Sequence, residues 1–256
     1  VVSVDTGAWI HRYAPAPDAP TRLVCLPHAG GSASFFLPVA RAMSPETDVL
    51  SIQYPGRQDR RHEPCADSIE ELAHGVVDAL TPWLDRPVTL FGHSMGAMVA
   101  FEVARLLEDA GTVPLGVIAS GRRAPSRTRP QQDLVHLRDD RGLMDEIRQL
   151  EGTDARLLED EELLRMILPA IRGDHRVVER YVYRPGPPLT CPVLSLIGDT
   201  DPQVTDDEAS SWAEHTTGPF TKTVFPGGHF YLNSQAADVI RLISEHIHTT
   251  RAAVAR

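Results

Sequence analysis

The chain has 256 residues, 42% of them hydrophobic and 23% charged, which is enough to build one sizeable domain around its own core. A formal net charge of -10 argues against general binding to a phosphate backbone. No apolar run approaches the ~20 residues of a membrane span, and the first residues carry no charged-then-apolar signal region, so the expectation is a cytoplasmic protein with no membrane contact.

In chain order, Trp9 to Tyr13 reads as an edge strand, followed by a Pro-rich turn from Pro15 to Pro20. Apolar runs at Arg22–Leu26, Asp48–Gln53, Val88–Phe91, Leu115–Ser120, Pro192–Ile197 and Phe220–Phe225 predict strands, with helical patterns between most of them. That alternation predicts a mostly parallel sheet with helices on both faces. Ser68 with Glu71, and Thr205 with Glu208, have capping-box spacing and mark two helix starts. From Arg122 to Arg184 no strand pattern appears. Helical stretches are expected instead at Asp133–Leu137, Gly142–Leu150 and Glu161–Tyr181, the last broken or kinked at Pro169. Such a segment, 122–184, is too long for a plain loop and predicts a helical lid inserted into a single domain spanning 1–256.

Cys25, Cys65 and Cys191 are odd in number and form no C-x-x-C pair, so reduced thiols are expected, with Cys25 a small buried hydrophobe. No metal-ligand spacing is present, and His246 and His248 read as a solvated face near the C-terminus.

The stretch Val88 to Phe101 runs from an apolar strand through Gly92-His93-Ser94-Met95-Gly96 into a helical pattern. The G-x-S-x-G spacing alone is short enough to arise by chance, but a strand before it and a helix after it would place Ser94 at the apex of a sharp turn, where a nucleophile is exposed. Loops leaving the carboxyl ends of parallel strands converge on one edge. Pro27-His28-Ala29-Gly30-Gly31-Ser32 follows one strand, and the amides of Ala29 and Met95 are the candidate donors to a tetrahedral oxyanion. Gly198-Asp199-Thr200-Asp201-Pro202 follows another and offers a carboxylate to orient an imidazole; Asp201 is preferred and Asp199 stays open, and either would otherwise be a solvated turn residue. Pro226-Gly227-Gly228-His229-Phe230 supplies His229 as the general base for Ser94. His28 and His93 lie at the same edge but are tied to the loops that position the amides and the nucleophile. The order Ser94, Asp201, His229 is that of α/β-hydrolases, so the predicted fold class is α/β, a hydrolase sheet with a lid.

From Arg22 to Leu232 the chain resembles the type II thioesterases that accompany polyketide synthases and non-ribosomal peptide synthetases. The resemblance is carried by Pro27-His28-Ala29-Gly30-Gly31, Gln53-Tyr54-Pro55-Gly56-Arg57, the Gly92 to Gly96 elbow, Ser120-Gly121-Arg122-Arg123-Ala124-Pro125, Leu168-Pro169-Ala170-Ile171-Arg172-Gly173-Asp174, Gly198-Asp199-Thr200-Asp201 and Pro226-Gly227-Gly228-His229-Phe230-Tyr231. It implies hydrolysis of acyl groups from the phosphopantetheine thiol of acyl or peptidyl carrier proteins, met transiently, without metal or redox cofactor. Gly173 departs from the small helix former expected there and would soften the lid helix. In that light Arg57, Arg122 and Arg123 are candidate contacts to the carrier protein or its phosphate, the alternative for them and for neighbouring Arg60, Arg61, Arg127 and Arg129 being a solvated loop. A stand-alone carboxylesterase or acyltransferase would use the same triad, and a hydrolase fold without catalysis is the rival of another class.

Overall fold

In the computed structural model of the chain, residues 6–129, 134–150 and 161–254 are described. A short helix α1 (Thr6–Trp9) leads into β1 (Ile10–His11), which is the two-residue remnant of the expected edge strand. Six further strands follow: β2 (Arg22–Leu26), β3 (Asp48–Ile52), β4 (Val88–His93), β5 (Gly116–Ser120), β6 (Val193–Gly198) and β7 (Phe220–Phe225). They match the apolar runs to within a few residues at their ends. The sheet order is β1-β3-β2-β4-β5-β6-β7, with every pairing parallel except that of β1 with β3. From β2 the chain moves outward to β3 and then returns to β4 on the other side of β2. This reversal of strand order opens a crevice between the carboxyl ends of β2 and β4, the place where ligands enter open parallel sheets.

Strands β2 to β6 are buried along their whole length, as expected for strands covered on both faces. The two-residue period divides them: Val24, Leu26, Leu50 and Leu90 face α3 (Ile69–Leu80) and α4 (Met95–Asp109), while Leu23, Cys25, Val49 and Phe91 face α2 (Leu37–Met43) and α9 (Ala236–Val254). Cys25 is thus a buried member of the second layer, and its thiol is pushed up by burial.

Ser68 caps α3 by accepting from the Glu71 amide, but Glu71 reaches past the cap to the amide of Asp67. At α7 (Asp206–Ser210) the reciprocal box of Thr205 and Glu208 is complete. The third layer holds a short 3-10 turn at Val135–Leu137, α5 (Asp140–Gln149) and α6 (Glu161–Arg180). Asp133 lies outside the described residues; of the lid's apolar residues expected to divide between helix packing and the acyl pocket (Leu157, Leu158, Leu163, Leu164, Met166 and Ile167), Leu157 and Leu158 also do, as does the side chain of Leu163. Val135, Leu143, Ile147, Leu164, Leu168 and Ile171 form a small core of their own in this layer.

Of the break or kink expected at Pro169, no break occurs: α6 continues through it. Packing on both sides of the proline holds it: Leu164 and Leu168 before it and Ile171 after it share one core, and Arg172 donates to the carbonyls of His136 (2.8 Å) and Arg138 (2.5 Å). Gly173 also has a reason in the fold. A Cβ there would lie 3.0 Å from the Cβ of Cys65, so the missing side chain admits a close crossing. His246 departs from expectation too. It lies inside α9, its buried Nε2 has no partner among the described residues, and it closes on Gly116, so burial pulls it down to about 4; His248 is exposed as expected. The end of β7 leads through a Gly-rich turn to α8 (Tyr231–Ser234).

Candidate active site

The elbow between β4 and α4 forms because two positions cannot carry a side chain. A Cβ on Gly92 would sit 2.0 Å from the carbonyl oxygen of Gly96, and one on Gly96 would sit 2.0 Å from that of Leu26 in β2. Ser94 between them takes φ 55° and ψ -115°, a backbone conformation that costs of order 1–3 kcal/mol in a non-glycine residue and clusters at functional sites. Its amide donates to Ser120 of β5 at 2.8 Å, which anchors the apex and leaves the hydroxyl free to face the crevice.

His229 and Asp201 meet Ser94 there. The Oγ of Ser94 lies 3.0 Å from Nε2 of His229, and Nδ1 of the same ring lies 3.0 and 2.9 Å from the two oxygens of Asp201. An ionised carboxylate only accepts, so Nδ1 carries the proton and donates to Asp201, which leaves Nε2 as the acceptor for the Ser94 hydroxyl. His229 and Asp201 are buried while Ser94 is partly open to the crevice. Asp199 faces elsewhere: it accepts from the Gly227 amide at 2.8 Å and shapes the turn that presents His229.

The amides of Ala29 and Met95 have no acceptor among the described residues. Met95 is the first residue of α4, where an amide has no partner within the helix, and the helix dipole favours negative charge. His28 and His93 flank the site as neutral rings. Burial, then the nearby His229 and Arg57, pull His28 down to about 3; burial, then His229 and His28, hold His93 well below the usual range. His93 Nδ1 lies 2.9 Å from the Ser120 hydroxyl, itself 2.6 Å from the Tyr231 hydroxyl, so a buried polar chain runs under the elbow. The spacing of the motifs gives no sign of this chain, although Ser120 and Tyr231 both stand in stretches that carried the resemblance.

A cavity of about 580 Å³ opens above Ser94 and His229, within the usual range for small-molecule sites. Its far wall is the helical layer, with Val135, Ile147, Leu150, Ile167 and Ile171, while Met166 points to solvent. Arg122 and Arg123 line it as well and separate it from a second hollow of about 250 Å³. The Nε of Arg122 is buried and without an acceptor among the described residues, and burial beside Arg123 pulls the guanidinium down to about 9.

The other arginines are engaged. Arg57 is buried, with both its terminal nitrogens on Asp174, so it cannot serve as the surface contact expected of it. Arg60 holds Glu63 and the Gln53 carbonyl, Arg127 holds Glu214 and Ser211, and Arg129 holds Glu208. Arg61 donates to the Gln58 carbonyl from an exposed position. Among the described residues no cluster of three His, Cys, Asp or Glu could hold a metal ion, and no helix is long and apolar enough to cross a membrane.

Residues 21–247 match the family model for the thioesterase domain. Thioesterase PikA5 of Streptomyces venezuelae is 52% identical over 254 residues, which is 98% of this chain and 90% of that protein. The type II thioesterase BorB from the borrelidin biosynthetic cluster superposes with a TM-score of 0.88 at 52% identity, over 96% of this chain and 100% of that one. For the type II thioesterase YbtT from the yersiniabactin NRPS/PKS biosynthetic pathway the TM-score is 0.84 at 34% identity, over 95% and 99% of the two chains. The chain belongs to the thioesterase family, as an α/β-hydrolase of type II that acts on thioesters.

Proposed function

We propose that this thioesterase removes acyl groups from the phosphopantetheine thiol of acyl or peptidyl carrier proteins, using Ser94 as nucleophile, His229 as acid and base, and Asp201 to orient His229. The observation that carries the reading is the unbroken line from Ser94 Oγ through His229 to Asp201, with each link at 3.0 Å or less, at the mouth of a cavity. As Ser94 attacks the thioester carbon, its proton passes to Nε2 of His229, and the charge on the carbonyl oxygen is met by the amides of Ala29 and Met95. Collapse breaks the carbon–sulfur bond, and the thiol departs with the proton from His229. Water enters next, gives its proton to His229 and attacks the Ser94 ester, which returns the free acid and the serine. These steps draw only on side-chain and backbone groups, and no cofactor is assigned to them.

The layer at 122–184 serves in this reading as the lid of a single domain, and its apolar residues receive the acyl chain. The carrier's pantetheine phosphate meets Arg122 and Arg123, the charged groups on the cavity wall that have unused donors or only a carbonyl partner. The cytoplasm, where carrier proteins are loaded, is the setting it requires. The test compares an acyl carrier protein, an acyl-N-acetylcysteamine and a p-nitrophenyl ester as substrates. The carrier substrate should be preferred, and Arg122→Glu with Arg123→Glu should depress kcat/KM on it far more than on the small thioester. A preference for the oxygen ester would make the enzyme a carboxylesterase, and equal losses on both thioesters would remove the arginines from carrier recognition.

A further inference from the structure

Asp174 is buried on the lid helix, 117 positions away in sequence from its partner Arg57. Its two oxygens take both terminal nitrogens of Arg57, at 2.6 and 2.8 Å. Burial alone would pull that guanidinium down, but the adjoining carboxylate more than offsets this and the net shift is upward. A forked pair of this kind would be complete without further bonds, yet Oδ2 of Asp174 also accepts from the amide of Gly30 at 2.7 Å. Arg57 in turn donates to the carbonyl of Gly31 at 3.0 Å. The pair therefore grips two consecutive residues of the loop that follows β2.

That loop is a tight turn. The Gly31 amide donates back to the His28 carbonyl at 2.9 Å, and Gly30 takes φ +75° in the third position, as a type II turn demands. The carbonyl of His28 and the amide of Ala29 belong to one planar trans peptide, so they point in opposite directions. Fixing the His28 carbonyl within the turn thus aims the Ala29 amide outward. The Ala29–Gly30 peptide is the unit that reverses if a type II turn relaxes to type I, and its N–H is the one that Asp174 holds. One helical turn before Asp174, Ile171 seals the same spot: a Cβ on Gly30 would come within 2.5 Å of Ile171. Positions 171 and 174 share one face of α6, so lid and turn are joined by a packing contact and a charged hydrogen bond together.

We infer that Asp174, braced by Arg57, is a positioning residue for oxyanion stabilisation: the lid helix holds the turn that aims the Ala29 amide, so the lid supports chemistry as well as enclosing the acyl chain. This rests on the proposed role of the Ala29 amide in thioester hydrolysis. The enzyme with Asp174→Asn should hydrolyse acyl-N-acetylcysteamine with kcat lower by about 10–100-fold, part of the loss seen when an oxyanion donor is removed outright, and with KM changed by less than about 2-fold. A trifluoromethyl ketone of the same acyl chain, which forms an oxyanion on Ser94, should bind more weakly by a similar factor. The matching ether, which forms none, should bind as before. Because Asp174→Asn leaves a buried guanidinium underpaired, Arg57→Met with Asp174→Leu provides a variant without orphaned charge, and it should fold and show the same kcat defect. A double variant with wild-type kcat, or ether binding weakened as much as ketone binding, would overturn the inference. Hydrogen exchange at the Gly30 amide judges the grip without turnover: it should be slow in the parent and fast in both variants, and slow exchange in all three would also overturn it. Failure of the parent to cleave any thioester would count against the proposed function instead, with the exchange measurement still deciding the grip.

Discussion

Replacing Asp201 by Asn tests the orientation of the general base at a single atom. Oδ1 of Asp201 accepts from the Gln203 amide at 2.8 Å as well as facing Nδ1 of His229. The Gln203 donor requires an oxygen, so the new amide NH₂ falls at the position of Oδ2, 2.9 Å from Nδ1. Two donors cannot face each other, and the ring moves its proton to Nε2, the nitrogen that has to accept from Ser94. The base is then absent in most molecules, and the imidazolium formed during attack loses its compensating charge. In the serine-protease triad the same change costs about 10⁴ in kcat, and about 1.4 kcal/mol of barrier per decade makes that between 5 and 6 kcal/mol. We expect a loss of about 10³ to 10⁴, or about 4 to 5.5 kcal/mol, in single-turnover acylation on acyl-N-acetylcysteamine, with an unchanged melting temperature showing that the turn survives. Asp199→Asn retains an oxygen for the Gly227 amide and should cost less than about 10-fold, since it touches the base only through the turn. Asp199→Asn proving the more damaging of the two, or Asp201→Asn within 10-fold of the parent, would refute the assignment.

Ser94→Ala should abolish hydrolysis and labelling by a fluorophosphonate while leaving the melting temperature in place or higher, as the strained φ of 55° belongs to the elbow and not to the hydroxyl; residual labelling measured by mass spectrometry would point to another nucleophile. Gly96→Ala should destabilise the fold by about 3 kcal/mol or more in urea unfolding, because its methyl would meet the Leu26 carbonyl of a central strand, which cannot swing aside. His246 gives a pH signature. It is held neutral in the fold at about 4 against an ordinary value of 6.5, so between those pH values the unfolded chain binds a proton that the folded chain refuses, and stability falls as pH falls. The contribution is intact above pH 6.5 and lost on the way down to pH 4; its size is on the order of 2 kcal/mol after allowing for partial exposure. His246→Leu should therefore lose less stability than the parent between pH 7 and pH 4.5, and parallel losses in both would reject the account.

What could be read from the residues was what is encoded locally. The strands announce themselves by apolar runs, the starts of α3 and α7 by Ser68 and Thr205, and the elbow by glycines whose missing side chains the fold then explains. Sequence leaves the choice between Asp201 and Asp199 open because both follow β6 within a few residues; only the path of the next turn decides which one reaches His229. The rest depends on distance in sequence. Arg57 reads as a loop cation until Asp174 is placed beside it, and His246 reads as a polar face until α9 is laid against Gly116. Helix α6 passes Pro169 because Leu164, Leu168 and Ile171 share a core with α5, a tertiary contact that no local propensity contains. Gly173 reads as a weakness of that helix and is a clearance for Cys65.

The three imidazoles at the crevice have a consequence for where charge resides during turnover. His28, His93 and His229 adjoin in series with ring centres 6.0 and 5.0 Å apart, the first pair edge to face and the second tilted, yet two of them resist protonation, partly because the third is there. In the proposed cycle, when His229 receives the hydrogen of Ser94, its two depressed neighbours are poor sites to relay it inward, and Asp201 is the counter-charge beside it. Its exit is back through Nε2, to the departing sulfur in the first half and to the serine in the second, and departure of the thiol and entry of water set the direction.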